Sequence, residues 1–482
     1  LEECTVKIIP TRPMHAVPPL PTDDTDAPLR VSVIGTGYLG ATHAAAVAEM
    51  GFDVIGVDTD PAKVAALERG EVPFFEPGLP ELISRHVETG RLTFTTDLAA
   101  AVAASDVHFI CVGTPQQASS HGADLRFVDS ATQQVADAMT HDGLIVGKST
   151  VPVGTASRLR TMVGERVAPG VHVELIWNPE FVREGMAVED TLRPDRIVIG
   201  GASPWAEDRL RRLYAPAIAN GAPVVTCDLP TAELVKVSAN AFLATKISFI
   251  NAISGLCEKA GADVGVLADA IGYDARIGRK FLNAGLGFGG GCLPKDIRAL
   301  MHRAGELGAY STVMLMQRVD EINMDQRQRI IDMTLGAVGG SVLNARVAVL
   351  GAAFKPDTDD VRDSPALNVA AALHLRGAHV TVYDPAAGGT AKRLFPTLSY
   401  ADGLESAVRG ADVVLVLTEW DEFRSADPDV IGELVSQRII VDGRNCLPED
   451  AWRDAGWDYR ALGHAIPAPA PMTGQMRKIE AA

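Results

Sequence analysis

The sequence predicts an α/β protein made of two doubly wound, parallel-sheet domains joined by a helical connector with a long central helix. Three observations carry this. Short apolar runs alternate with Ala-rich helical segments from Val31 to about Val225, strand signals vanish from about Pro230 to Leu335, and the alternation resumes from Arg346. The expected divisions are a flexible extension over 1–29, an α/β domain over 30–228, a connector and dimerisation domain over 229–342, a second α/β domain over 343–463, and a flexible tail over 464–482.

The elements follow in order. Residues 1–29 are rich in Pro, Thr and Asp and lack a sustained apolar period, which is the pattern of a segment that does not pack. Strands are expected at 31–34, 54–57, 107–112, 144–147, 173–177 and 197–199, all in one parallel sheet. In the connector, Leu234, Ala241, Ile247 and Ile250 predict one long helix, apolar on more than one side and so suited to packing against a second copy. Strands at 347–350, 380–382, 413–417 and 439–441 build the second α/β domain, and the Pro-rich run 466–471 favours an extended end.

Composition narrows the function. The chain has 482 residues, 44 basic and 61 acidic, a formal charge of −17, with 47% hydrophobic residues. That excludes a basic surface for nucleic acid or an anionic membrane. No run approaches the ~18–20 apolar residues of a membrane span. Six cysteines, at 4, 111, 227, 257, 292 and 446, show no CxxC or paired spacing. They read as reduced thiols of a cytoplasmic protein, and no secretion signal is read at the N-terminus.

Gly35-Thr-Gly37-Tyr38-Leu39-Gly40 follows an apolar strand and opens an Ala-rich helical segment. In that context it is a dinucleotide-binding turn of the Rossmann type: Gly35 for the tight turn, Gly37 for approach of the pyrophosphate, Gly40 for helix–strand packing. Asp58 ends the next strand about 20 residues on, where a carboxylate takes the ribose hydroxyls and disfavours a 2′-phosphate. The expected cofactor is NAD.

Three further segments pair reactive residues. Asn178-Pro179-Glu180-Phe181 reads as a helix start, with Asn178 as cap and Glu180 and Glu184 on one face; acids favoured by the helix dipole are the alternative. Lys236 and Asn240 share a face of the connector helix among apolar neighbours. A lysine in such a cleft has a lowered pKa and serves as acid, base or oxyanion donor, unless it is a solvated lysine on a polar stripe. The run 287–296 sets Gly289, Gly290 and Gly291 before Cys292, with Pro294 and Asp296 after it. The glycines are expected to let the backbone approach a ligand, and the helix start to stabilise a Cys292 thiolate. Asp296 would return towards Cys292.

Taken together, these motifs, with Phe75-Glu-Pro-Gly78, Ser149-Thr-Val-Pro152, the run 351–362 and Asp442-Gly-Arg444, resemble the nucleotide-sugar dehydrogenase family from Val31 to about Leu447. The resemblance implies NAD-dependent, four-electron oxidation of the C6 hydroxyl of UDP-glucose to UDP-glucuronate through a thioester. The alternatives are the same chemistry on dTDP-glucose, GDP-mannose or UDP-N-acetylmannosamine.

The resemblance also implies roles. Cys292 would be the nucleophile, Lys236 and Asn240 would polarise the substrate and stabilise the oxyanion, Asp296 would position a water or serve in proton transfer, and Glu180 would act in thioester hydrolysis. Glu184 and Thr150 would support the water network. Gly35, Gly37, Tyr38, Leu39, Gly40 and Asp58 would hold the cofactor, together with Lys63, Thr114, Thr150, Glu184 and Lys295. Glu180, Phe181, Lys236, Asn240, Phe288 and Gly289 would face the sugar nucleotide, with Phe354, Lys355 and Arg444 from the second α/β domain. Arg276 matches an arginine that reaches the substrate across a dimer interface.

Two other readings are weaker. A two-electron hydroxyacid dehydrogenase of the 6-phosphogluconate type has the Lys-x-x-x-Asn pair but lacks the glycine-cradled cysteine and the last domain. A non-catalytic scaffold has no need of Cys292, Lys236, Asn240 and Asp296 together. No metal is expected: the acids at 357–360 read as loop polarity or capping.

Overall fold

The computed structural model describes residues 29–118 and 120–464. The two terminal tails, their expected flexibility and Cys4 lie outside the described residues.

The N-terminal sheet has eight strands: β1 Arg30–Ile34, β2 Asp53–Val57, β3 Leu92–Thr95, β4 Val107–Ile110, β5 Gly143–Gly147, β6 Val173–Trp177, β7 Ile197–Gly200 and β8 Val224–Cys227. Their order is β3-β2-β1-β4-β5-β6-β7-β8. β1, β4 and β5 are buried along nearly their whole length because helices cover both faces, so they read as unbroken apolar runs. One expectation is corrected. β6 and β7 pair antiparallel, through Trp177 and Gly200, so β7 and β8 run against the first six strands.

The C-terminal sheet holds β9 Arg346–Leu350, β10 His379–Tyr383, β11 Ser399–Tyr400, β12 Val413–Val416, β13 Ile439–Asp442 and β14 Asp458–Ala461. Its order, β11-β10-β9-β12-β13-β14, repeats that of the first six strands of the other sheet. In both, the strand order reverses beside the first strand, and the crevice for a ligand lies at the carboxyl ends there.

The strands not foreseen, β3, β8, β11 and β14, are the outermost ones of the two sheets. An edge strand pairs on one side only and keeps part of its surface in water, so its apolar signal is short or broken. β11 is a two-residue Ser-Tyr, and no residue of β8 is fully buried.

Between the sheets lies a 32-residue helix, Leu229–Ala260, about 48 Å long at 1.5 Å per residue. Asp228 starts it by accepting from Thr231 N at 2.7 Å, with Pro230 in the first turn, and Gly261 ends it. Helices Leu293–Glu306 and Tyr310–Ala337 pack against it through Ala241, Ala244, Phe288, Ile297, Met316 and Val319. This packing brings Cys292, at the start of the middle helix, beside Lys236 and Asn240.

Candidate active site

The turn after β1 has the geometry its glycines require. Gly35 has φ +91°, which L side chains rarely adopt, and its N–H donates to Val57 O at 2.8 Å. A Cβ on Gly40 would stand 1.8 Å from Gly35 O, whereas one on Gly37 would meet nothing within 4 Å. The helix Tyr38–Glu49 has no side-chain cap and no acid in its first turn, which leaves its first N–H groups for an anion. Leu39 packs into the core of this unit.

Asp58 accepts from Thr36 N at 2.9 Å, Thr36 Oγ1 at 3.0 Å and Lys63 Nζ at 2.8 Å. Burial pushes its carboxyl up, but Lys63 and the N–H groups of Asp60 and Thr36 outweigh that and hold it below the usual range. An open glycine turn, a free helix end and an ionised carboxylate at the end of β2 fit NAD. Thr114 Oγ1 donates to Thr150 O at 2.8 Å and ties together the loops that follow β4 and β5.

The segment after β6 departs from expectation. No helix begins at Asn178; an irregular loop runs on, and the helix Ala187–Leu192 starts only nine residues later. The cap is engaged elsewhere: Asn178 Oδ1 accepts from Lys148 Nζ at 3.0 Å and Tyr214 OH at 2.8 Å, and its Nδ2 donates to Val198 O at 2.8 Å. Glu180 and Glu184 therefore do not share a helix face, and they meet different partners. Glu180 pairs with Lys236 Nζ at 2.9 Å, and Glu184 with Arg362 at 3.0 Å. Phe181 has the Arg196 guanidinium 3.6 Å from its ring centre and Lys236 Nζ at 5.7 Å.

Lys236 and Asn240 are 4% and 8% exposed, so neither lies on a solvated stripe. Asn240 Nδ2 donates to Asp296 Oδ2 at 2.7 Å, and Lys295 Nζ holds the other oxygen at 2.7 Å. Cys292 is the N-cap residue of Leu293–Glu306, and its carbonyl accepts from Asp296 N at 2.9 Å. Asp296 does return to Cys292.

The charge states differ from the sequence expectations at both reactive groups. The Cys292 side chain is open towards the cleft but hemmed in by protein on its other sides. Desolvation, then Glu180 and Asp296, push its thiol up to about 12, with only Lys236 pulling strongly the other way. Burial, with the two carboxylates behind it, outweighs any stabilisation of a thiolate by the helix end. Lys236 is not lowered either. Burial pulls its ammonium down, but Glu180, Cys292 and Asp296 reverse this and leave it above the usual value. Lys236 is thus a fixed cation, suited to stabilising an anion and not to serving as a base.

The space beside the glycines before Cys292 is taken by protein. A Cβ on Gly289 would lie 2.4 Å from Asp363 O, one on Gly290 2.8 Å from the Phe354 ring, and one on Gly291 2.4 Å from the Arg362 guanidinium carbon. The loop after β9 occupies that space. Replacing Gly291 by Ala is expected to displace the Arg362 fork and lower turnover by about 10- to 100-fold, with little change in circular dichroism. A variant with native turnover would count against this packing.

Phe288 is pinned by exchanging main-chain bonds with the Asn323 amide at 2.8 and 3.0 Å. Lys355 Nζ donates to Glu184 O, and burial holds its ammonium below the usual value despite Glu184 and Glu76. Arg444 donates to Leu417 O at 2.8 Å, Gly287 O at 2.9 Å and Phe354 O at 3.0 Å. It thus staples three loops, with much of its fork already engaged. Arg276 is not brought to the site within this chain: it pairs with Asp274 at 2.6 Å, its side chain 89% exposed.

Three residues were missed. Arg362 stands at the end of the run 351–362 and reaches Glu184. Glu76 is buried and accepts from Tyr38 OH, Gly185 N at 2.7 Å and Ala187 N at 2.7 Å, which ties the nucleotide turn to the Glu184 loop. Lys148 is buried beside Asn178. The available signal was a charged residue inside a motif or directly after an apolar strand, where burial without a partner is too costly to be incidental.

Among the described residues no group of three or more His, Cys, Asp or Glu is placed to hold a metal, and no helix is long and apolar enough to cross a membrane. The models of the UDP-glucose/GDP-mannose dehydrogenase family match in three parts: the NAD binding domain at 29–218, the central domain at 230–325 and the UDP binding domain at 348–449. A UDP-glucose 6-dehydrogenase of Rhizobium meliloti (strain 1021) is 42% identical over 437 residues, 90% of this chain and 99% of that protein. A UDP-glucose dehydrogenase structure from Pyrobaculum islandicum superposes with TM-score 0.84 at 37% identity, covering 92% of this chain and 99% of the other. A UDP-D-ManNAc dehydrogenase structure from Pyrococcus horikoshii superposes with TM-score 0.79 at 28% identity, covering 90% and 99%. With all three family parts present in order and the site residues gathered between two matching sheets, the chain belongs to the UDP-glucose/GDP-mannose dehydrogenase family.

Proposed function

We propose that this protein oxidises the C6 hydroxyl of UDP-glucose to the carboxylate of UDP-glucuronate, using NAD and a covalent intermediate on Cys292. The observation that carries the reading is one junction: Cys292, Lys236, Asn240 and Asp296 meet where the long helix crosses the start of the Cys292 helix. The 42% identity to a UDP-glucose enzyme favours that sugar over UDP-N-acetylmannosamine, GDP-mannose or dTDP-glucose.

When bound, NAD accepts a hydride from C6 in each of two oxidations. In the first, the hydroxyl proton leaves towards Asp296, whose carboxylate Asn240 and Lys295 hold in place. Asp296 then releases that proton to solvent, and Cys292 sulfur bonds to the aldehyde carbon as the thiol proton passes to Asp296. The oxygen becomes an alkoxide facing Lys236 Nζ and Asn240 Nδ2, a fixed charge and a fixed dipole. Loss of the second hydride leaves a thioester. Glu180 removes a proton from water as the water adds to the carbonyl, the carbon–sulfur bond breaks, and sulfur regains a proton. Phe354, Lys355 and Arg444 line the loops where the nucleotide end would lie.

The working unit we propose is a cytoplasmic dimer, or multiples of one, with divisions near 30–228, 229–342 and 343–463. Phe242, Phe249 and Leu256 on the long helix are 65%, 49% and 61% exposed, an apolar face that a second copy would cover. Arg276 would then reach the partner's site.

The test is stoichiometric. Purified protein with NAD and UDP-glucose should form two NADH per sugar and a uronate, with dTDP-glucose and GDP-mannose turning over poorly. One NADH per sugar would overturn the role of Cys292. Turnover of another hexose alone would overturn the choice of substrate.

A further inference from the structure

We propose that the cavity behind Glu180 holds the water that hydrolyses the thioester, in a compartment separate from the Cys292 cleft. The inference rests on the dehydrogenase reading above and deepens it, by assigning a source to the water of its last step.

The cavity lies between the loop after β6, the helix Ala187–Leu192 and β7. Lys148, Glu180, Phe181, Thr191, Arg196 and Tyr214 line it, whereas Cys292, Lys236, Asn240 and Asp296 do not. Its volume is about 40 Å³, room for about three waters at roughly 10–15 Å³ apiece. Glu180 belongs to both sides. Its Oε1 meets Lys236 Nζ at 2.9 Å, its Oε2 accepts from Val182 N at 2.7 Å, and its charge reaches the Cys292 thiol. Glu180 is thus a wall shared by the two compartments, held at both oxygens.

Lys148 identifies the occupant as water. It is 6% exposed, and its Nζ donates to Asn178 Oδ1 at 3.0 Å and Tyr214 OH at 3.1 Å. Tyr214 OH donates in turn to the same Asn178 oxygen at 2.8 Å, so the trio is rigid. An ammonium has three donors, and a buried charge with a donor left over is costly. Water in the cavity takes that third donor; an apolar occupant would strand it. Arg196, stacked 3.6 Å from the Phe181 ring centre, adds a second cation to the wall. Both cations draw the oxygen of a water towards themselves and leave its hydrogens for Glu180. A bound anion would instead meet the Glu180 carboxylate.

Separate compartments suit the chemistry. Between the two hydride transfers, water in the cleft would compete with sulfur for the aldehyde, so the cleft must stay dry. The last step needs one water molecule. Its oxygen bonds to the thioester carbon, and one proton reaches sulfur through Glu180 as the carbon–sulfur bond breaks. The other proton leaves the product carboxyl for solvent.

The test uses the full-length protein in excess over UDP-glucose, with NAD saturating. Absorbance follows NADH, and intact mass after acid quenching follows the thioester. Thr191→Met puts a longer side chain into the cavity, Lys148→Met removes the ammonium, and Thr191→Val keeps the native shape as a control. T191M and K148M should form two NADH per sugar within about twofold of the native rate, while the thioester lasts about 10-fold longer. T191V should match the native protein, and melting curves check folding of each variant. Unchanged thioester lifetimes in T191M and K148M, or hydride transfers slowed as much as hydrolysis, would overturn the proposal. Either result, with two NADH per sugar from the native protein, would leave the broader reading standing. One NADH and no thioester in the native protein would instead overturn that reading, and this proposal with it.

Discussion

Replacing Cys292 by Ser should stop the reaction after one hydride transfer, releasing or retaining an aldehyde and one NADH per sugar. An aldehyde has no electron-rich oxygen to expel a hydride from its own carbon, and addition of sulfur creates one. A serine hydroxyl is a far weaker nucleophile, and nothing beside Cys292 is arranged to activate it: Lys236 is a cation, and burial with the adjacent carboxylates already pushes a thiol up to about 12. The second oxidation should fall by at least about 10³-fold. Stability should hardly change, within about 0.5 kcal/mol, because the side chain faces the cleft and, although Cys292 is the N-cap residue, makes no capping hydrogen bond. Single-turnover absorbance at the NADH band, with product analysis, checks both statements. Undiminished formation of two NADH by the Ser variant would remove Cys292 from the mechanism.

The raised thiol also bears on timing. With burial first, then Glu180 and Asp296, disfavouring the thiolate, a nucleophile at Cys292 would rest as the thiol. In the proposed reaction, deprotonation would accompany attack, and Lys236 would stabilise the alkoxide instead of a standing thiolate.

What the sequence made legible and what it hid divide along a physical line. Buried strands such as β4 and β12 carry continuous apolar runs, and the turn at Gly35–Gly40 needs its residues for local backbone reasons, so both are written in neighbouring positions. The edge strands carry little local signal because their burial depends on one neighbour only. The helix expected at Asn178 failed for a non-local reason: the cap was taken by Lys148 and Tyr214, 30 and 36 residues away. Beside the glycines at 289–291 stand Phe354, Arg362 and Asp363, more than 60 positions on. Charge states were hidden most deeply, since the fate of Lys236 and Cys292 is decided by burial together with carboxylates from two separate segments, around Glu180 and at Asp296.

Replacing Lys236 by Met should have the second large effect, and its two consequences can be separated. The side chain is buried, so Met fills most of its volume, but Glu180 then loses its cation at 2.9 Å. Breaking one side of a buried pair costs about 3 kcal/mol, near the low end because the Glu180 side chain is 11% exposed. Urea unfolding would show that loss. Separately, the developing oxyanion loses its fixed positive charge, which should slow hydride transfer by about 10²- to 10³-fold. Adding Glu180→Gln removes the orphaned carboxylate and should recover most of the stability. It should not recover the first hydride transfer, because the task proposed for Glu180 comes later, at the thioester. If the double variant regained both, Lys236 would be serving only to neutralise Glu180, and the oxyanion would have to be held by Asn240 alone.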